Sequence, residues 1–219
     1  MFEKIELSKC PFMLENDTLL VENHYFTSVY LFKNSIDKTY IKISPCESYK
    51  KMSFKNRCML VGSNGLISLS VPIENGRDQK VAFKDVRISS SQPWQKVHWR
   101  TISSCYGKSP FWEYYADYFA PLFEKNFEFL WDLNTEILQL LWRLIDKKMK
   151  IVIEDQQVSA VSSLGYDFLP KNYAEKPNPV IYGQLFEDRI GFKPNVSILD
   201  LLCMEGPNTG SKLKEFIVS

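Results

Sequence analysis

The chain has 219 residues, of which 45% are hydrophobic and 24% charged, the balance of a globular protein long enough to bury a sizeable core as one domain, here taken as 1–219. Its net charge of +1 gives no global field that would draw in nucleic acid or an anionic membrane surface. The opening residues MFEKIELSKCPFM lack the apolar run of a secretory signal, and no stretch approaches the ~20 apolar residues of a spanning helix, so a cytoplasmic protein without membrane insertion is expected.

The first strand signal is Leu19-Leu20-Val21, which runs into Glu22-Asn23-His24-Tyr25-Phe26. A short helix over about 27–36 follows, with Thr27 or Ser28 as its cap. Thr39 to Ile43 alternates as a second strand, ended by Pro45. The strongest local signal is a hairpin. Met59 and Val61 precede Asn64-Gly65, and Ile67, Leu69, Val71 and Ile73 follow at period two. An Asn-Gly pair between such runs predicts a turn with φ > 0 at both positions. Pro72 places the end of that strand at the sheet border. A further strand is expected near 82–88.

Helices then take over. Ser91 is positioned to cap a helix reaching about Tyr106, with Pro93 in its first turn. Ser109-Pro110 reads as the N-cap and first residue of the next helix, which Pro121 stops or kinks. Residues 130–149 predict the longest helix, with Leu130, Leu133, Ile137, Leu141, Leu144 and Ile145 as its apolar stripe. From 154 to 180 the chain is polar and carries Pro170, Pro177 and Pro179, which predicts a long loop or flap anchored by Tyr166, Phe168, Leu169 and Tyr173. Ser197 caps a last short helix around 198–203. Strands first and helices later, with one strand–helix–strand unit near the start, predict an α/β protein with a mixed sheet and helices packed on it.

Several of these segments together resemble the WbqC family. They are Glu22-Asn23-His24-Tyr25-Phe26-Thr27, in place of a Q-P-x-Y-F-P-like turn and without its prolines; the stretch from Tyr49 to Arg57, ending Lys55-Asn56-Arg57, in place of an R-N-R-like element; and Val71-Pro72 at the hairpin end. Trp94, His98 and the run Tyr106-Gly107-Lys108-Ser109-Pro110-Phe111 follow in the family's order. The tail from Phe192 to Asn208 looks like the form common in Bacteroidetes members. The resemblance implies a bacterial protein of O-antigen or capsule biosynthesis that modifies a sugar or nucleotide sugar. Aminoacyl or acyl transfer is the implied reaction class. A non-catalytic ligand- or partner-binding protein of the same pathway is the alternative.

The residues themselves carry two readings each. His98 shares a helical face with Trp94, so it can serve as a general base beside a sugar-stacking ring, or as a half-buried histidine bonded to a backbone carbonyl. His24 follows the first strand, where ligands of open α/β sheets gather, and Glu22 can orient its imidazole; a turn role competes. Arg57 can hold a carboxylate or phosphate through two parallel hydrogen bonds, and Asn56 can donate and accept toward a sugar; a solvated basic loop competes. Tyr106 and Lys108 complete the expected substrate contacts. Asp200 reads as a solvent-facing helix residue. Cys10, Cys46, Cys58, Cys105 and Cys203 form no CxxC pair, so buried reduced thiols are expected, with no metal and no cofactor.

Overall fold

The computed structural model describes residues 17–74, 81–154 and 163–215. The fold is α/β. Strands β1 (Thr18–Leu20), β2 (Tyr40–Ile43) and β5 (Lys150–Ile153) form a parallel sheet in the order β1-β2-β5, while β3 (Arg57–Gly62) and β4 (Gly65–Ser70) form a separate antiparallel hairpin. The helices are α1 (Val29–Lys33), α2 (Trp94–Tyr106), α3 (Trp112–Glu124), α4 (Leu130–Ile145), α5 (Glu187–Ile190), α6 (Ile198–Glu205) and α7 (Thr209–Lys214).

Local chemistry explains most of these boundaries. The hydroxyl of Ser28 accepts from the Leu31 amide and caps α1, and Ser197 does the same for α6 through Leu199, satisfying amides that a helix start leaves open. Helix α4 is the longest and buries Leu130, Leu133, Ile137 and Leu141, one stripe of the expected period. Inside the parallel sheet Ile41 and Ile43 are fully buried, in keeping with sheets covered on both faces.

Several expectations shift. The hairpin loop is Ser63-Asn64, because Gly62 pairs with Gly65. Only the glycine takes positive φ, at 127°, so Asn64-Gly65 does not itself fill the two turn positions. Segment 82–88 is a short 3₁₀ turn at Phe83–Asp85 flanked by isolated bridges, not a strand. Ser91 does not cap α2, which starts after Pro93. Ser109 does not cap α3; its hydroxyl turns back to the carbonyl of Tyr106, and α3 starts after Phe111. Pro121 is carried inside α3. Helix α4 stops at Ile145, and Lys150-Ile151-Val152-Ile153 leaves it to become the third parallel strand.

The 154–180 segment is placed in part; residues 155–162 lie outside the described residues. Leu164 joins the sheet beside β1, bridging Val21 in parallel and exchanging backbone bonds with Leu20 and Glu22. Phe168 and Tyr173 then pack with Phe54, Val61 and Val196 as a second apolar cluster beside the main core. The strap is therefore anchored by its apolar residues over the described part.

Candidate functional site

Because β1, β2 and β5 run in parallel, their carboxyl ends lie along one edge, where open α/β sheets take their ligands. Glu22, Asn23 and His24 follow β1, and Glu47 follows β2. The loop before β3 adds Lys55, and α4 adds Asn134. All six side chains are buried.

They form one network. His24 Nε2 lies 2.9 Å from Glu22 Oε2. Lys55 Nζ lies 2.5 Å from Glu47 Oε2 and 3.5 Å from Glu22 Oε1. Its ammonium also sits 4.6 Å from the centre of the Phe83 ring, a favourable cation–π placement. The amide of Asn134 donates to the carbonyls of Asn23 and Lys55, at 3.1 and 2.7 Å, which ties the two segments together. Asn23 donates to the Thr135 hydroxyl on the same helix.

Burial works against charge on Glu22, but the His24 hydrogen bond and the Lys55 charge outweigh it and hold its carboxyl down to about 2. Burial pushes Glu47 up despite its short contact with Lys55, and the neighbouring Glu22 charge adds to that rise. Glu22 is thus the ionised partner and Glu47 the more readily protonated one. An ionised carboxylate only accepts hydrogen bonds, so His24 Nε2 carries the proton and donates to Glu22. The other ring nitrogen, Nδ1, has no partner in the structure.

The backbone beside His24 is strained. Phe26 has φ 40°, uncommon for a bulky side chain and costing roughly 1–3 kcal/mol. The surroundings hold it there: the Ser197 hydroxyl donates to the Phe26 carbonyl at 2.9 Å, and Tyr25 and Thr27 bond the backbones of Phe54 and Ile198. A cavity of about 10 Å³, room for about one water, lies between His24, Thr27, Ser28, Phe54 and Ser197. The strap packs against His24 itself. The Phe168 ring stacks near His24, with centroids 6.3 Å apart, and Lys50 donates to the Tyr166 carbonyl at 3.1 Å.

Gly165 makes that close approach possible. Its φ is 105°, and an added Cβ would lie 3.2 Å from His24 Cε1 and 3.3 Å from Glu22 Cβ. Gly165→Ala is expected to cost about 1–3 kcal/mol through the backbone conformation alone and to loosen the strap over His24. Chemical denaturation checks this; a loss under ~0.5 kcal/mol, the range of neutral surface changes, would mean the strap relocates freely.

The other expected residues fall in a second zone. His98 is buried, with Nδ1 2.9 Å from the Tyr25 hydroxyl and a further hydrogen bond to the backbone of Ser70. Burial pushes its pKa down to about 4, the Ser70 bond opposing weakly, so its ring is neutral and fully engaged at pH 7. Trp94 meets it edge-on at 5.1 Å. Arg57 pairs with Ser70 across the hairpin, so His98 and Arg57 converge on one residue. The Arg57 Nε is buried without a partner. Asn56 donates to the Val71 carbonyl and pins the hairpin base. Lys108 is exposed on the turn after α2.

Tyr106 is fully buried and belongs to a third group. Asp200 is buried, not solvent-facing: its Oδ2 accepts from Tyr182 at 2.7 Å and from Gln184 at 2.8 Å, and Tyr106 also bonds it. Burial raises Asp200 to about 6 against these three donors. Cys58, Cys105 and Cys203 are buried thiols that burial pushes up. Among the described residues no group of three His, Cys, Asp or Glu side chains could hold a metal ion, and no helix is long and apolar enough to cross a membrane.

A more spacious depression lies elsewhere. A furrow of about 940 Å³ runs between α3, α4 and the start of β5, past Tyr118, Pro121, Leu140, Arg143 and Ile151. None of the residues expected from the sequence lines it. None of the buried polar atoms without partners belongs to its lining, so the sheet-edge network is the stronger candidate despite its small cavity.

The chain is 24% identical over 199 residues, 77% of its length and 83% of the relative's, to the uncharacterized protein Rv1507c of Mycobacterium tuberculosis. No solved structure matches it. The model of the WbqC-like protein family matches residues 39–165, a span that holds Glu47, Lys55, His98, Tyr106 and Asn134 and leaves Glu22 and His24 just ahead of it. With more than half of its length matched, the chain belongs to the WbqC-like protein family.

Proposed function

We propose that this protein modifies a sugar or nucleotide sugar in surface-polysaccharide biosynthesis, by group transfer at the carboxyl edge of the parallel sheet. In this reading His24 moves the proton. Glu22 fixes its tautomer, and Lys55 with Glu47 fixes Glu22. Arg57, two residues beyond Lys55, holds an anionic part of the substrate. His98 positions Tyr25, and through it the backbone that carries His24. The observation that carries the reading is the buried His24–Glu22 pair, whose second imidazole nitrogen has no partner. Such a base needs an orienting acceptor on one nitrogen and a free lone pair on the other.

One observation favours a second reading, a non-catalytic ligand- or partner-binding protein: the furrow has the volume of a ligand site, and Tyr118 on its rim is 43% exposed. A thermal-shift screen with nucleotide sugars, amino sugars and amino acids separates the two. Mass action requires a specific ligand to raise the melting temperature. The first reading predicts hits that vanish in His24→Gln and persist in Tyr118→Ala. Hits with the opposite dependence would replace it with the second.

A further inference from the structure

The parallel sheet has one open edge. Leu164 bridges Val21 on the β1 side, but among the described residues no strand lies beyond β5. Ile153 on that strand is 44% exposed. The backbone groups of β5 can be assigned to sides. The Lys150 N–H donates to the Thr39 carbonyl and the Glu154 N–H to the Ile43 carbonyl, both toward β2. Successive residues of a strand turn their peptide groups to alternate sides. Ile151 and Ile153 therefore carry N–H and C=O groups pointing away from β2. Such a row is a template for another strand.

The side chains show which strand fits. Lys150, Val152 and Glu154 share one face: Lys150 sits over the Tyr40 ring, and Glu154 pairs with Lys42 at 3.6 Å. Ile151 and Ile153 take the other face. A two-fold axis through Val152 lays a second copy antiparallel to the first. Lys150 then opposes Glu154 of the second copy, and Glu154 opposes its Lys150. A carboxylate can accept from Lys42 and from this lysine together. On the other face Ile151 opposes Ile153 of the second copy. These are the residues whose backbone groups point outward, so each such pair exchanges both hydrogen bonds. An axis through Ile151 would set Lys150 against Val152, and one through Ile153 would set Glu154 against Val152. Charge thus selects the axis at Val152. Met149, Lys150 and Ile151 also line the furrow, which leaves free space beside the start of the strand.

We infer that the β5 edge is a self-association surface, on which two copies join into one sheet of order β1-β2-β5-β5-β2-β1. The contact uses the same patch on both copies and closes on itself. It is independent of the chemistry proposed for His24. Because the two sets of strands run in opposite directions, the two buried networks lie at opposite ends of the joined sheet.

Sedimentation equilibrium of the full chain tests it. The parent is expected to be a dimer at about 100 μM chain. Lys150→Glu brings only carboxylates together across the axis, and Glu154→Lys only ammonium groups. Each variant alone is expected to dissociate at least about tenfold more readily than the parent. Mixed in equal amounts, the two variants restore opposite charges at both positions, so heterodimers are expected. Ile153→Pro removes an outward N–H that β2 does not use; it should be monomeric with an unchanged far-UV circular dichroism spectrum. A monomeric parent, dimers that persist in both charge variants, or a mixture no more associated than its components would overturn the inference. Should a charge variant fail to fold, Ile153→Pro decides, and a folded dimer in that variant would overturn it.

Discussion

Lys55→Met is expected to cost the fold about 3–5 kcal/mol, the usual loss when one partner of a buried ion pair is removed. Lys55 is 1% exposed and lies between Glu47 and Glu22. Methionine keeps most of the aliphatic stem and removes the ammonium that sits over Phe83, so the loss reports the missing charge more than missing volume. Two carboxyls then share a buried edge without their ammonium. Because Glu47 is already pushed up by burial, it relieves this by taking a proton as pH falls. The deficit should therefore be largest at pH 7 or above and shrink toward pH 5. Lys51, nearby on the same loop and exposed, is the control; Lys51→Met should stay within about 0.5 kcal/mol of the parent. Urea denaturation at several pH values checks both. A Lys55→Met loss below ~1 kcal/mol at pH 7, in the range of an exposed pair, would show that the network is solvated and not the dry site described here.

The second large effect is a pair of opposed pH dependences hidden in the parent protein. His98 has a folded pKa of about 4 against an ordinary 6.5. Below 6.5 the unfolded chain takes the proton first, so stability from this group is lost as pH falls from 6.5 to 4. Asp200 has a folded pKa of about 6 against an ordinary 3.8. There the folded state holds the proton longer, so stability is lost as pH rises from 3.8 to 6. Each is worth roughly 3 kcal/mol over its full window. Glu22 acts below its ordinary 4.5, largely outside this range. Substitution separates the two. Relative to the parent, His98→Gln should gain stability as pH falls from 6.5 to 4, because glutamine keeps a donor and an acceptor but does not titrate. Asp200→Asn should gain relative to the parent as pH rises from 4 to 7. Difference curves of unfolding free energy against pH read this out; a flat difference for either variant would contradict its assigned burial.

How much of this the sequence carried depends on the range of the interaction. The hairpin, the Ser28 and Ser197 caps and the apolar stripe of α4 rest on residues a few positions apart, and they stand close to where their spacing put them. Strand β5 was hidden because its four residues follow a long helical stripe, and nothing local distinguishes them from a fraying helix end; only pairing with β2 does. The Glu22–His24 pair was legible because strand period two puts both on one face. Lys55, Glu47 and Asn134 were not. Their contacts join residues separated by up to 111 positions, and a lysine in a basic loop reads as solvated until the fold buries it. Asp200 failed for the same reason: its donors, Tyr106, Tyr182 and Gln184, come from two distant segments.

The proposed function makes His24, and not His98, the reactive histidine. With only two histidines in the chain, diethyl pyrocarbonate modification followed by peptide mass spectrometry tests this directly. His24 has one unpartnered ring nitrogen beneath a strap, and both nitrogens of His98 are engaged by Tyr25 and Ser70. The expected result is slow modification of His24, faster in Gly165→Ala, with His98 untouched until the protein unfolds. Modification of His98 as fast as His24 in the folded protein would contradict the account.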